Sequence, residues 1–568
     1  MRTRQGYFWR WAMLMLGVLY AAAVLYVLPF ATNDGPVHMS FGHLLGGAPD
    51  AGGLQAQHYQ RNGALHPNLA VYGLIVLLLK AVAPEVAEAV VQLACLLGPV
   101  AGMAALLRQF RRSQVWVALF AFPLGLHQLF FLGLYNYCLS VTGFLLSMAA
   151  LLWMQKRAGA WRAAVPVAAL YFSYFSHASG FLAAMLALGV LTMVSCTAAW
   201  RMGGPVQAVL AHARHAAVLL SPLPLVVLSL GAAPGATVAF GAPLGERLKS
   251  FVILSPLNLQ HTPADRYLAP ALAAAILASV LALALRCALA PGSRSADVRS
   301  WAALLLFASL LALALAFPDT MGGGWTHYRR MQMFPYFAGL LCMACLPLPA
   351  MVRHALVALA VVVSLALMAG GTWRQYRIKQ QLAPLADVEL LVPPHCTVLP
   401  LVLDDGGAWA DGMALPPKYR PFFQAASRLE LRGDRVALFN YLARLKVYPV
   451  QFVPGQDTQA LLFHWRPQQE GTDLARIDIA GYEQASGQAV DYVLQWGALA
   501  SAPPSLQAEV VRATAGYTPV YATPDGKVRL LRRQPPAAAA HAFHAANAAN
   551  SVPRTRCTAL DSRRLPNV

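Results

Sequence analysis

Long apolar runs recur along most of the chain. Between residue 12 and about residue 370, runs of 16 to 23 residues are separated by short polar stretches. Each run is long enough to cross a hydrocarbon core of about 30 Å once tilt or local thinning is allowed. The chain is 58% hydrophobic and only 12% charged, which excludes an ordinary soluble globular protein. The sequence therefore predicts a polytopic α-helical membrane protein.

The first apolar run, Trp11 to Phe30, has the basic flank of a secretory signal. Arg2, Arg4 and Arg10 precede it. Because no small-residue cleavage site follows it, we interpret the run as a retained signal anchor whose N-terminus stays in the cytoplasm.

Lys and Arg cluster in particular loops, and these clusters indicate the topology. They lie at the N-terminus and at residues 108–113, 155–162, 200–215, 286–299 and 353–354. Placing all of them in the cytoplasm predicts about eleven crossings, near residues 11–30, 87–107, 115–134, 137–154, 163–178, 181–199, 216–231, 268–290, 301–317, 331–349 and 355–371. The same loops explain much of the net charge of +19, so no nucleic-acid partner is predicted.

One apolar segment, His66 to Val82, is left over. As a crossing it would invert every later loop, so we predict a helix that lies in the outer interface or packs in the first outer loop. An odd number of crossings then places the chain after residue 371 outside the cytoplasm.

Three regions follow from this pattern: a transmembrane domain at 1–371, an extracytoplasmic α/β domain at 372–533, and an Ala-rich tail at 534–568 that is predicted to be disordered. In the α/β domain, "VELLVPP", "CTVLPLVL" and "DYVLQW" predict strands, and "RVALFNYLARL" predicts a helix. "YTPVYATPDGKVRLLRR" predicts a hairpin that turns at Asp525 and Gly526.

Ionisable side chains concentrate in the predicted outer loops. The stretch "TNDGPVHMS" presents Asp34 just after the first apolar run, and "GGGWTHYRRMQMF" presents Arg329 and Arg330. Asp34 is a candidate general base, although an Asp at this point could instead cap an interfacial helix. Outer Arg and Lys residues run against the positive-inside bias, which suggests an anionic ligand, although they could also snorkel towards lipid headgroups.

The order of these elements resembles the GT-C glycosyltransferases, especially the polyprenyl-phosphate-sugar-dependent mannosyltransferase and aminoarabinose transferase branches. Asp34 matches the catalytic acid of the family's first outer loop, and "HPNL" matches the start of its "HPPL" motif, with Asn68 in place of the second Pro. "LYNYCLSVTGFLL" and "YFSHASGFL" look like family helix ends, while packing segments would have the same aromatic character. The "WWDYG" signature of oligosaccharyltransferases is absent from the sequence.

The resemblance implies an enzyme of a bacterial cytoplasmic membrane that transfers a sugar from a polyprenyl-phosphate donor to an acceptor on the outer face. Asp34 is then the catalytic residue. The predicted substrate-binding residues are the outer-loop polar and basic side chains His38, His66, Tyr135, Asn136, His177, Arg247, Lys249, Arg266, His327, Arg329 and Arg330.

Other functions remain open at this point. A transporter or flippase for lipid-linked glycans could use the same basic groups, but it would be expected to carry charges near the bilayer midplane, where the predicted crossings have few. A non-catalytic assembly protein is a further alternative. No protein metal site is predicted, because no CxxC motif has a second ligand pair. The sequence does not identify a cofactor, and a divalent cation is one candidate. Asp404 and Asp405 could bind a cation or the acceptor, although a solvated turn is the better explanation.

Overall fold

The computed structural model describes residues 2–47, 52–65, 67–156, 159–231, 238–257, 265–289, 297–321, 327–403, 419–468 and 471–534, together with Cys557. Within these residues, seven helical segments are long and apolar enough to cross a membrane. They are Phe8–Val27, Pro84–Phe110, Tyr135–Gln155, Ala178–Val206, Asp265–Leu289, Val298–Ala316 and Ala350–Leu391. The chain is therefore a polytopic helical membrane protein.

The predicted number of eleven crossings is not confirmed, because four of the predicted segments are short or interrupted. Residues 115–134 form a 3₁₀ helix, Arg112–Phe120, and two short helices, Ala121–Gly125 and Gln128–Phe131. Residues 163–178, 216–231 and 331–349 contain helices Ala164–Ser176, Leu223–Gly231 and Met333–Cys345. A helix of 13 residues is only about 20 Å long, which is shorter than a hydrocarbon core.

Contacts inside the bundle nevertheless show that some of these segments run from one end of it to the other. Tyr137, at the start of its helix, contacts His177, which directly precedes the next long helix. The chain between these two helices must therefore return across the bundle. Similarly, Met333–Cys345 begins beside Arg330 and ends where the Arg111 guanidinium donates to the Cys345 carbonyl at 3.4 Å.

Burial explains why these passages need not be regular helices. Every residue of Met333–Cys345 is buried, and nearly every residue from 115 to 134 is buried as well. Irregular backbone is tolerated at membrane depth where protein rather than lipid surrounds it. Apolar length therefore underestimates the number of passages and does not establish it.

Two further features shape the helical part of the chain. The leftover apolar segment contains the helix Ala70–Leu79, whose ten residues are too few to span a bilayer. The helix Ala178–Leu220 is broken at Gly204, where φ is +83° and Pro205 follows. A left-handed residue before a proline interrupts the hydrogen-bond ladder, so Gly is suited to this position.

The remaining elements of the helical part are short. They comprise the helices Leu244–Val252 and His327–Met331, the 3₁₀ turns Ala160–Ala163 and Ser255–Leu257, and the antiparallel pair Val238–Ala239 with Thr320–Met321.

The chain divides into two compact units that do not follow the predicted boundary at residue 371. The first unit comprises Met1–Phe30, Ala64–Leu74 and Glu85–Tyr376, and the second comprises Ala31–Gly63, Ile75–Pro84 and Arg377–Val568. The start of the first predicted outer loop, including Asp34, thus belongs with the C-terminal part of the chain.

The second unit is built around a mixed five-stranded sheet. In spatial order its strands are Tyr517–Ala522, Val528–Arg533, Tyr492–Trp496, Thr397–Val402 and Val436–Ala437. Thr397–Val402 runs parallel to both of its neighbours, whereas the other pairings are antiparallel. Two of the three inner strands, Thr397–Val402 and Tyr492–Trp496, are almost fully buried, which agrees with their nearly continuous apolar sequences.

Short elements complete the second unit. Tyr59–Arg61 pairs with Val450–Phe452, and Phe463–Gln468 pairs with Gly471–Ile477. The helices are Gly35–Gly46, Leu54–His58, Pro384–Leu391, Thr458–Leu462, Ile479–Ser486 and Pro504–Ala513, and the 3₁₀ helices are Ala425–Leu431, Tyr441–Arg444 and Leu499–Ser501.

Some predicted elements of this unit are confirmed and others are wrong. The strands in "CTVLPLVL" and "DYVLQW" and the hairpin at Asp525 and Gly526 are present. "VELLVPP" is not a strand, because its first half continues the helix Pro384–Leu391. "RVALFNYLARL" is not a helix, since it forms the short strand Val436–Ala437 and a 3₁₀ turn.

Candidate functional site

The two aromatic segments singled out in the sequence, "LYNYCLSVTGFLL" and "YFSHASGFL", meet in the first unit. A Cβ added at Gly180 would lie 2.7 Å from the carbonyl oxygen of Ser140, and one added at Gly143 would lie 2.8 Å from the Cα of Ser173. Glycine at these positions therefore allows the helix Tyr135–Gln155 to pack closely against both Ala178–Leu220 and Ala164–Ser176. This approach brings Tyr137 edge-on to His177, with 5.9 Å between ring centroids.

Basic side chains from three chain segments gather around Tyr137, and we call this group the basic cluster. It consists of His127, His177, His327, Arg329 and Arg330. The Tyr137 hydroxyl donates to the Arg330 carbonyl at 2.8 Å, and its ring lies 5.9 Å from that of His127. Four of the five members come from the predicted set of substrate-binding residues, namely His177, His327, Arg329 and Arg330.

Arg330 and His177 form the most direct contact within the basic cluster. Arg330 Nη1 lies 2.9 Å from His177 Nε2, while His177 Nδ1 accepts from the backbone N–H of Ser179 at 3.0 Å. Two donors thus point at one imidazole, which has a single acceptor nitrogen when neutral. Burial lowers the pKa of His177 well below its ordinary value, and neighbouring Arg330 and His327 lower it further. The ring is therefore neutral and can satisfy only one of the two donors.

The other members of the basic cluster are held by local contacts. Arg329 donates from Nη1 to Gln128 Oε1 at 3.2 Å and from Nε to the Tyr328 hydroxyl at 3.0 Å. His327 is buried, and its backbone N–H donates to the Asp319 carbonyl at 3.1 Å. His127 is buried at the N-cap of a short helix, where its Nδ1 accepts from Phe130 N. The glycine run 322–324, which was expected to lead into the Arg pair, lies outside the described residues.

Arg247 has structural contacts that occupy most of its donors. It is 3% exposed, donates to the carbonyls of Ala242, Leu315 and Phe317, and pairs with Asp319 at 2.8 Å. The same Asp319 oxygen also accepts from the backbone N–H groups of residues 241 and 242. Arg247 thus ties a loop to a helix end.

The two other outer-loop cations from the predicted set are exposed. Lys249 lies on the amphipathic helix Leu244–Val252. Arg266 is exposed, and its guanidinium lies 5.2 Å from the ring centroid of Tyr267. Neither residue belongs to the basic cluster.

Tyr135 and Asn136 lie in a buried polar network. The Tyr135 hydroxyl donates to Glu88 at 2.9 Å and accepts from Gln92 at 2.8 Å, and Gln92 also bonds both backbone groups of Phe30. Asn136 accepts from Val71 N, and its buried Nδ2 has no hydrogen-bond partner among the described residues. Asn136 therefore has a buried donor that no described residue accepts, whereas Tyr135 is linked through Gln92 to the backbone of Phe30.

Asp34 lies in the second unit and does not cap the helix that it precedes. It occupies the N-cap position of Gly35–Gly46 without a side-chain capping bond. Instead, its Oδ1 accepts from the Tyr441 hydroxyl at 3.0 Å, and the residue is 7% exposed. The capping alternative does not describe this side chain, which leaves the proposed chemical role open.

The backbone on either side of Asp34 is held by the C-terminal segment of the same unit. Tyr419 donates to the Ala31 carbonyl at 2.8 Å, and Asn33 accepts from Arg420 N at 2.7 Å. His38 is buried one turn into the helix, with 6.2 Å between its ring centroid and that of Tyr448. His66 lies outside the described residues.

Sequence reasoning missed a second carboxylate in this unit, Glu430. It is fully buried and accepts from Ser40 Oγ, from the Tyr59 hydroxyl at 2.8 Å and from Ala437 N at 3.0 Å. Burial raises the pKa of Glu430 to about 7, and these hydrogen bonds oppose the rise. No local sequence motif indicates a role for Glu430, because its partners lie up to 390 positions away in the sequence.

Neither a protein-family model nor a curated protein matches this chain. Among solved structures, the arabinofuranosyltransferase AftD from mycobacteria is similar, with 15% sequence identity and a TM-score of 0.45. The match covers 93% of this chain and 40% of AftD, so the chain spans about 40% of the length of that protein. A likeness of this degree does not establish a shared function.

Proposed function

We propose that the chain is an integral membrane glycosyltransferase that transfers a sugar from a polyprenyl-phosphate donor to an acceptor on the extracytoplasmic face. The basic cluster is the observation that carries this proposal. Two guanidinium groups and three histidines gather at one end of a helix bundle, where the phosphate of a lipid-linked sugar would lie. Activated nucleotide sugars are cytoplasmic, so an outward-facing site requires a lipid-linked donor.

The donor crowding at His177 supports a phosphate ligand. The neutral His177 ring accepts only one hydrogen bond. A phosphate oxygen beside Arg330 would accept from the guanidinium, so that His177 would need to accept only from the Ser179 N–H. Arg329 lies next in the chain and is positioned by Gln128 and Tyr328. The two guanidinium groups are therefore assigned to the charge that develops on the leaving phosphate.

Asp34 is assigned the role of general base. In the proposed step, Asp34 takes the proton of an acceptor hydroxyl while that oxygen bonds to the anomeric carbon. The bond from this carbon to the phosphate oxygen breaks, and its electron pair stays with the phosphate. The hydrogen bond from Tyr441 orients the carboxylate.

The disulfide between Cys396 and Cys557 supports an extracytoplasmic location for the second unit. Disulfides persist mainly in oxidising compartments. The orientation is tested with a reporter that is active only outside the cytoplasm. We expect this reporter to be active when it is fused after Ala383 and inactive when it is fused near Ser113. The reverse pattern would contradict both the orientation and the proposed site.

The proposed function is tested with purified protein and synthetic polyprenyl-phosphate-linked hexoses and pentoses, by measuring release of polyprenyl phosphate. Asp34→Asn should lower turnover at least about 100-fold with donor binding retained. Arg330→Ala should weaken donor binding, and Arg330→Lys should still impair turnover, because Lys lacks the two parallel donors of Arg.

Arg476→Ala, which removes an exposed Arg of the second unit, is the matched control and should behave as the unsubstituted protein. Substantial turnover by Asp34→Asn would remove this residue from the role of base. A protein that moves the donor across a vesicle membrane without releasing polyprenyl phosphate would be a flippase, and the enzyme assignment would fall.

A further inference from the structure

A second concentration of positive charge lines a cavity in the first unit, at the opposite end of the bundle from the basic cluster. The cavity has a volume of about 1080 Å³. We call it the basic cavity. Its lining includes six cationic side chains and no carboxylate among the described residues, and the cations are Arg10, Arg108, Arg111, Arg112, Lys156 and Arg299.

Four membrane-length helices end at the basic cavity. Arg10 lies near the start of Phe8–Val27, Arg108 near the end of Pro84–Phe110, and Lys156 directly after Tyr135–Gln155. Arg299 is the second residue of Val298–Ala316. Because the ends of membrane-spanning helices lie at the level of the lipid headgroups, these cations lie there as well.

Contacts of two of these cations, Arg111 and Lys156, show the charge balance at the basic cavity. Asp297 pairs with Arg111 at 2.6 Å and also caps the following helix by accepting from Ser300 N. Lys156 donates to the Gln109 carbonyl at 2.5 Å, and burial followed by the charge of Arg299 lowers the pKa of this lysine. The like charges thus repel one another, and an anion in the cavity would relieve the repulsion.

The rest of the lining is apolar or aromatic. Trp9, Met13, Phe110 and Val115 contribute to it. Tryptophan is favoured where hydrocarbon meets headgroups, and apolar walls suit the glycerol and upper acyl carbons of a lipid better than they suit a soluble anion. The volume also exceeds what a single phosphate fills.

We propose that the basic cavity binds the phosphate-bearing headgroup of an anionic membrane phospholipid. The guanidinium groups hold phosphate oxygens through paired hydrogen bonds, and the apolar wall holds the start of the acyl chains. This site differs from the proposed sugar-donor site in its position and in its residues, so the proposal does not depend on the enzymatic function.

The test is native mass spectrometry of the full-length protein in mild detergent, titrated with cardiolipin, phosphatidylglycerol or phosphatidylcholine. The unsubstituted protein should retain the two anionic lipids in preference to phosphatidylcholine. Replacing the exposed pair Arg108 and Arg112 by Gln should weaken anionic-lipid binding about thirtyfold, since each cation near a membrane surface contributes roughly a factor of five. Arg112→Gln alone should give roughly a fivefold loss.

A matched control replaces Arg201 and Arg353 by Gln, two cations of other predicted cytoplasmic loops that do not line the basic cavity. This variant should bind anionic lipid as the unsubstituted protein does. Equal losses in both double variants would show general surface attraction and overturn the proposal, as would unchanged binding in the Arg108 and Arg112 variant.

Inorganic phosphate distinguishes a lipid from a soluble anion. It should compete only weakly with the bound lipid, because it lacks the glycerol and acyl groups that meet the apolar wall. Displacement of cardiolipin by inorganic phosphate at comparable concentration would assign the cavity to a soluble anion and refute the lipid assignment.

Discussion

Glu430 should make the second unit less stable as the pH rises from acid to neutral. The ordinary pKa of this carboxyl group is 4.5, and burial raises it to about 7 in the folded protein. Between these values the folded state keeps a proton that the unfolded state has lost, so the free energy of unfolding falls with increasing pH. Since one pKa unit corresponds to about 1.4 kcal/mol, the full loss above pH 7 is about 3 kcal/mol.

Glu430→Gln tests this reasoning because an amide imitates the protonated acid. Its oxygen can accept from Tyr59 and Ala437, while its NH₂ group can donate to Ser40 in place of the acid proton. The variant should match the unsubstituted protein at low pH and exceed it by about 3 kcal/mol at about pH 8.

Hydrogen exchange measured by mass spectrometry on the full-length protein in detergent is the appropriate assay. Peptides covering 425–440 are compared between the two proteins at each pH, so that the intrinsic pH dependence of exchange cancels. Glu483→Gln, which removes a partly exposed carboxylate paired with Arg533, is the control and should lack this pH-dependent gain. Equal protection of the Glu430→Gln variant and the unsubstituted protein from about pH 5 to about pH 8 would refute the linkage.

Three further predictions concern structural contacts. Arg247→Met should lower the stability of the purified protein by about 3 kcal/mol, seen as a lower melting temperature, because it leaves the Asp319 carboxylate without its cation. Gly180→Ala should cost about 1–3 kcal/mol and reduce turnover, because the new methyl group pushes on the Ser140 carbonyl and displaces His177; unchanged melting and activity would contradict the close approach. Cys396→Ser should expose one additional alkylatable thiol after denaturation without reductant and lower protease resistance, whereas a count lower by one would mean that Cys396 is not paired.

Helix and strand prediction from sequence worked where the apolar pattern was long or the turn chemistry was specific. The hairpin at Asp525 and Gly526 was predictable because Gly526 takes a φ of +68°, which the turn requires. The strand prediction for "VELLVPP" was wrong because a short apolar run is compatible with a helix and with a strand. Pro384, in the first helical turn, favours the helix Pro384–Leu391.

The crossings show a different limit. Hydropathy detects long apolar helices that can face lipid with all their backbone groups paired internally. The passages through residues 115–134 and 331–349 are instead surrounded by protein. Such segments can be short or irregular, since neighbouring helices satisfy their backbone groups. Sequence therefore indicated where apolar chain lies, while the regularity of each passage depended on packing.

The candidate site was predictable in its residue types more than in its partners. The concentration of ionisable residues in the predicted outer loops pointed to Asp34, His177 and Arg330. Arg is unusual there, because Lys and Arg normally collect in cytoplasmic loops. Tyr441, which bonds Asp34, and Glu430, which bonds Ser40, are 407 and 390 positions away from these partners. Pairings at such separations leave no periodic signal in a single sequence. They also mean that the segment around Asp34 is held by the C-terminal part of the second unit, through Tyr419, Arg420 and Tyr441. Sequence patterns near Asp34 therefore could not reveal what fixes this carboxylate.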